Sequence, residues 1–267
     1  MSLFHIFLIA ALQGVTEFLP VSSSGHLILL PSLTALPDQG QAIDVAVHVG
    51  TLGAVLLYFW SDFKLAVRGI PKALSGRWES PGAKLASLLA IATVPVVVAG
   101  LFIKLTGLDD VMRSVTVIGW TMLGFGIVLW IADRSGVQEK KSEEWSVRDA
   151  WVMGLWQALA LIPGTSRSGA AISGARALGY KRTDSAKIAM LMSIPTIIAS
   201  GVPLGYEVIG NADVSVARDG AIAASFAFVA ALIALRLMMR LLQSVSFTPY
   251  VIYRIILGVV LLVYAYT

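Results

Sequence analysis

Pro20-Val21-Ser22-Ser23-Ser24-Gly25-His26 interrupts a chain that is otherwise apolar on both sides, with residues 4–19 leading in and residues 27–36 leading out. The outgoing limb has ten residues. As a helix rising about 1.5 Å per residue it covers only about half of a hydrocarbon core of about 30 Å. Pro163-Gly164-Thr165-Ser166-Arg167-Ser168-Gly169 draws the same figure, between limbs 150–163 and 170–180. The two polar knots align as Ser-x-Ser-Gly, Ser22 against Ser166, and at the same offset Gln13 falls on Gln157. Short limbs broken at corresponding places predict two re-entrant helical hairpins, which a bilayer tolerates only where the broken backbone lines a protected cavity.

The solvent for such hairpins follows from composition. Of 267 residues, 57% are hydrophobic and 13% charged, with mean hydropathy +0.80. A soluble chain carries about 25% charged residues, so the surface expected here faces lipid. No polar stretch exceeds the length of a loop, which leaves no separate soluble domain and no nucleic-acid partner. Cysteine is absent, excluding disulfides and thiolate chemistry. The N-terminus lacks the basic start and cleavage site of a removable signal and is expected to be mature sequence.

Six runs are long enough to span: 42–60, 85–108, 115–132, 188–209, 221–242 and 250–266. Placing the basic segment 61–84 inside makes 109–114 external, 133–149 internal and 176–187 internal. Segment 210–220 is then external, and residues 236–254 surround an internal turn. Sixteen of the twenty Lys and Arg, Arg254 included, fall on the internal side, as the positive-inside rule requires. Lys104, Arg113 and Arg218 fall outside and Arg167 falls in a knot. Both termini come out external. The fold class expected is an all-α polytopic membrane protein of two inverted repeats, residues 1–132 and 150–267, joined by a cytoplasmic linker, 133–149. Each repeat holds one hairpin and three spans, and the odd span count inverts the second copy.

The knots carry the chemistry. Each outgoing limb is a helix starting just after Ser, Thr or Gly, so free N–H groups and the positive dipole end face the knot and favour an anion such as phosphate. Serine hydroxyls add donors, and Arg167 offers a planar fork for phosphate oxygens. Glu17 lies one and a half turns before Ser23, and His26 follows Ser23 at i+3 on the same helix face. A nucleophile, a base and an oxyanion stabiliser are thus available together. Plainer roles compete: Ser22 to Ser24 could cap the following helix, Arg167 could hold the hairpin tip through carbonyls, and Glu17 could be its structural partner. His5 and His48 read as interfacial or packing residues, and Asp44 as a solvated helix end. From architecture alone, a lipid-phosphate flippase or ion-coupled transporter using the same centre is the rival reading.

Gln13-Gly-Val-Thr-Glu17-Phe-Leu-Pro-Val-Ser-Ser-Ser-Gly-His26 and Pro163-Gly-Thr-Ser-Arg-Ser-Gly169 resemble the two signature motifs of the bacterial undecaprenyl-diphosphate phosphatase family, bacitracin-resistance type. Ile43-Asp-Val-Ala-Val-His48-Val-Gly-Thr51 and Thr248-Pro-Tyr-Val-Ile-Tyr-Arg254 are family-like as well. A second, unrelated lipid-phosphatase pattern does not fit, because Ser173 stands where it requires histidine. The family resemblance implies hydrolysis of undecaprenyl diphosphate to the monophosphate carrier and inorganic phosphate. It also implies a site in the bacterial inner membrane open to the periplasmic side, and dependence on a divalent cation, Mg2+ or Ca2+. Carried onto matching positions, Glu17 binds the metal or positions water, Ser23 is the nucleophile and His26 its acid/base partner. Arg167 clamps the diphosphate with Ser166 and Ser168. Gln13, Ser22, Ser24, Gly25, Thr165 and Gly169 complete the expected substrate contacts. The partners expected are a polyprenyl diphosphate and membrane lipids, with a homodimer allowed. One departure stands out: the element that opens with Glu in many members opens here with Gln13, leaving a single carboxylate on that turn.

Overall fold

The computed structural model describes residues 1–33, 37–135, 138–209 and 214–267, with the side chains of 32–33, 109–110 and 203–209 outside the description. Twelve α-helices occur among these residues: α1 (Leu3–Phe18), α2 (Ser23–Leu33), α3 (Gly40–Tyr58), α4 (Trp60–Leu74), α5 (Pro81–Thr106), α6 (Leu108–Met112), α7 (Val115–Arg134), α8 (Val147–Ala158), α9 (Arg167–Ala177), α10 (Arg182–Ile209), α11 (Val214–Leu241) and α12 (Thr248–Tyr266). Six are long and apolar enough to cross a membrane, and they coincide with the six expected spans: α3, α5, α7, α10 to Val202, α11 and α12.

The lipid-facing stripes follow helical spacing. Val98, Leu101, Phe102 and Leu105 of α5 are exposed, as are Val229, Ile233 and Leu237 of α11 and Ile252, Ile256 and Val260 of α12. Large side chains recurring every three or four residues on an outer face would be ruinous in water and are what hydrocarbon requires.

In lipid, helices associate by close packing, since tails are as apolar as the helices themselves. Small residues therefore line the contacts. A Cβ on Gly14 would fall 2.7 Å from the carbonyl oxygen of Ala227, and one on Gly154 would fall 2.6 Å from that of Ala92. These approaches seat α1 on α11 and α8 on α5. Each short helix thus leans on a long helix from the other half of the chain. α11 also packs on α3 and α7 on α12, while α9 lies among α7, α8 and α10.

One end of the bundle gathers the charged segments expected inside. Asp133 pairs with Arg176 and with Arg182, both at 2.9 Å, and accepts from the backbone N–H of Phe247. Lys187 pairs with Asp62 at 2.8 Å. Asp149 accepts from Lys140 at 2.9 Å and from the Tyr180 hydroxyl at 2.6 Å. Burial pushes the Asp149 carboxyl up, but these two donors outweigh it and hold the group below the usual range; Tyr180 is pushed up, by burial first and then by that carboxylate. At the far end of α11 the Met1 ammonium pairs with Asp219 at 2.9 Å.

Three expectations need amending. The basic segment 61–84 includes most of α4, whose apolar and basic residues separate onto different faces, and the span expected from residue 85 already starts at Pro81. Arg254 does not belong with the internal-turn charges; it is fully buried within α12. The last residues of the 27–36 limb, the 136–137 stretch of the linker and the start of the 210–220 turn lie outside the described residues.

Candidate active site

Each knot turns on a serine with left-handed backbone. Ser22 has φ 72° and Ser166 φ 74°, and among the described residues no other non-glycine has positive φ. Such a residue costs about 1–3 kcal/mol and persists where surroundings over-determine it, most often at a functional site. The same serines cap the helices that follow: Ser22 Oγ accepts from Gly25 N–H at 3.3 Å and Ser166 Oγ from Gly169 N–H at 3.1 Å. Ser22 contacts Ser24 at 3.4 Å as Ser166 contacts Ser168 at 3.1 Å. The knots touch directly, since a Cβ on Gly25 would lie 3.5 Å from Gly164 Cα. Two positive helix ends are thereby brought together.

Glu17 is the hub. One carboxylate oxygen pairs with Arg167. The other accepts from Ser23 Oγ at 2.6 Å and from Gln13 Nε2 at 2.8 Å. Glu17 is buried, and a carboxylate buried in apolar protein persists only with such partners. Ser23 and Arg167 hold equivalent places in the two knots, so the second knot supplies a cation where the first supplies a hydroxyl. Arg167 also donates to Ser193 O at 3.4 Å.

His26 stands apart from this hub. Its Nδ1 lies 2.6 Å from Ser22 O and its Nε2 2.6 Å from the Tyr253 hydroxyl, with the two rings stacked at 9°. A carbonyl only accepts, so Nδ1 carries a proton, and in the neutral ring Nε2 accepts from Tyr253. The expected Ser23–His26 pair is therefore not a hydrogen bond in this structure; Ser23 is bonded to Glu17.

The remaining expected contacts divide. Ser22 and Ser166 hold the turns, and Ser168 Oγ donates to Leu19 O at 2.9 Å, tying the second knot to the lead-in of the first. Thr165 Oγ and the Oε1 atoms of Gln13 and Gln157 are buried without a partner among the described residues. Gln157 instead donates to Thr196 at 3.1 Å. Ser24 is exposed, on the wall of a cavity of about 400 Å³ that also has Asp44, His48, Arg113, Pro163 and Ser200 on its lining.

Three residues given no catalytic part on sequence grounds belong here. His48 Nε2 lies 4.0 Å from Glu17, with Nδ1 at 2.7 Å from Asp44 O, so the histidine read as a packing residue faces the hub. Tyr253 holds His26 and Arg254 reaches both knots. All three lie inside the two further family-like stretches, which were the available signal. Asp44, read as solvated, is half-buried and accepts from Gln39 at 2.9 Å.

A divalent cation can be tested against these donors. No three His, Asp or Glu side chains come together in a cage among the described residues. Glu17 is the one carboxylate beside the serine hydroxyls, and its oxygens are held by Arg167 and by Ser23 and Gln13, so a hard ion would fit only with Arg167 displaced and with phosphate oxygens and water as its other ligands.

Comparison with known proteins gives the family. Residues 6–260 match the family model described as bacitracin resistance protein BacA. The chain is 67% identical over 267 residues to the undecaprenyl-diphosphatase of Ruegeria pomeroyi, covering all of both chains. It is 68% identical over 266 residues to that of Jannaschia sp., again covering both in full. It is 43% identical over 272 residues to undecaprenyl-diphosphatase 1 of Rhodospirillum rubrum, covering all of this chain and 96% of that one. With its two knots meeting at one carboxylate and its whole length matched, the chain belongs to the BacA bacitracin-resistance family.

Proposed function

We propose that this protein hydrolyses undecaprenyl diphosphate to undecaprenyl phosphate and inorganic phosphate, returning the lipid carrier for cell-wall polymer synthesis. The observation that carries the reading is the convergence of Ser23 and Arg167 on Glu17 from two helix starts. Full-length relatives named for this activity support it. In the free site the Arg167–Glu17 ion pair keeps both charges partnered. An incoming diphosphate offers the planar guanidinium a pair of acceptor oxygens, and its transfer to phosphate frees the carboxylate beside Ser23. Ser23 Oγ then attacks the terminal phosphorus, its proton passes to Glu17, and the bond to the bridging oxygen breaks to release undecaprenyl phosphate. Water cleaves the phosphoserine, the proton returns to Ser23, and inorganic phosphate leaves. The 2.6 Å hydrogen bond from Ser23 to Glu17 supports this order. Water attacking directly with Glu17 as base would use the same residues. A divalent cation, Mg2+ or Ca2+, would be held by Glu17 and the diphosphate oxygens and would supply charge neutralisation at the phosphoryl group.

The architecture we propose is two inverted repeats whose hairpins α1–α2 and α8–α9 enter from opposite faces. The reciprocal seating of α1 on α11 and α8 on α5, and the matched turns at Ser22 and Ser166, support it. The charged end is cytoplasmic by the positive-inside rule, and the cavity bordered by Ser24 opens to the periplasmic side of the inner membrane. Cysteines can be introduced singly, since the chain has none. A cysteine at Ser142 is expected to label only after permeabilisation and one at Val214, exposed at the start of α11, in intact cells. The reverse pattern would overturn the orientation. Purified protein in detergent should release phosphate from a polyprenyl diphosphate. Detergent leaves no compartment to transport into, so no release there would favour a transporter.

A further inference from the structure

Arg254 is fully buried six residues into α12, and each hydrogen bond it makes goes to a backbone carbonyl. Nη1 donates to Pro20 O at 3.3 Å. Nη2 donates to Gly164 O at 3.0 Å, Thr165 O at 2.9 Å and Thr121 O at 3.3 Å. Nε donates to Met122 O at 3.3 Å. No acidic side chain is paired with it among the described residues. A cation at membrane depth is expensive, and packing α12 alone would be served better by an apolar residue. Pro20 and Gly164 hold equivalent places in the two knots, each two residues before the serine with left-handed backbone. One planar guanidinium therefore grips the same carbonyl of both turns while reaching three further carbonyls, more acceptors than the three donors of an ammonium can serve.

We infer that Arg254 is a positioning residue for the hydrolysis: it fixes the spacing of the two knots, and so the distance at which Ser23 and Arg167 meet at Glu17. The inference rests on the reading above for its kinetic consequence, while its geometric consequence stands apart from that reading. Misplacing reacting groups by about 1 Å costs about 100-fold. Lysine at this position keeps the charge and loses the fork.

The test is Arg254→Lys, with kcat and KM measured on the unlabelled protein. Spin labels on cysteines at Ser24, in the first knot, and Leu159, in the limb leading into the second, both exposed, report the spacing of the two hairpins in substrate-free protein. The expected result is a kcat lower by about 100-fold, KM within about threefold, and a broadened or shifted distance distribution. A folded Arg254→Lys protein with wild-type kcat and a wild-type distance distribution overturns the inference, and a change in thermal stability alone would count the same way. Should Arg254→Lys fail to fold, Gly126→Ala decides. Its Cβ would lie 3.2 Å from Arg254 Cβ, displacing the side chain slightly while leaving every donor. About a tenfold loss of kcat with a shifted distance is expected there, and unchanged values overturn the proposal. If the wild-type protein released no phosphate, the hydrolase reading would fall and the distance measurement would still decide the role of Arg254.

Discussion

Arg167→Lys is expected to lower phosphate release by about 100- to 1,000-fold, the range seen when a main charge-stabilising donor is removed from a reacting site. Lysine keeps the charge, so the free site can still pair with Glu17. What is lost is the fork. Arg167 reaches Glu17 with one amino group and Ser193 O with the other, which aims the guanidinium plane into the meeting point of the knots. Two parallel donors from that plane match two phosphate oxygens; an ammonium offers a point charge with no fixed direction. Most of the loss should therefore appear in kcat, with a smaller change in KM. Activity within tenfold of wild type would leave Arg167 as a hairpin-tip residue held by its carbonyl contact, one of the plainer readings of the sequence.

Hydropathy made the spans legible because each is a local property of about 20 consecutive residues. The knots were legible because a bilayer makes short, broken apolar limbs conspicuous. What escaped was nonlocal. The i, i+3 spacing of Ser23 and His26 places both on one helix face, but the partners of the imidazole are decided by α12, and Tyr253 lies 227 positions away. Spacing along one helix could not reveal a hydroxyl on another. Arg254 was miscounted for a related reason: the positive-inside rule sums charges near span ends and does not distinguish a solvated cation from one clasped by carbonyls a turn and a half into the helix. α4 is not legible from charge alone, since five basic residues between 61 and 84 place that segment inside without saying that it is helical. His48 looked like a packing residue because its partner, Glu17, sits on a different helix.

The geometry also changes which residues should behave as one unit. Glu17→Gln is expected to lower phosphate release by about 1,000-fold or more, because Gln cannot take the Ser23 proton and leaves Arg167 without its charge partner. Ser23→Ala should cost a similar factor. The double variant Glu17→Gln/Ser23→Ala should cost little more than either single change, since residues that act together are not additive. His26 is bonded to Ser22 O and Tyr253, not to Ser23. His26→Gln combined with Ser23→Ala should therefore fall further than Ser23→Ala alone if the histidine serves the phosphate from its own side. Quenched-flow kinetics with radiolabelled terminal phosphate separates the two routes. Covalent attack by Ser23 predicts label on the protein before phosphate is free, absent in Ser23→Ala. Ser23→Ala keeping more than about a tenth of wild-type release would remove that serine as nucleophile. Attack would then fall to water held by Glu17, and the Ser23–Glu17 hydrogen bond would be the means by which the free site keeps that carboxylate aligned until substrate arrives.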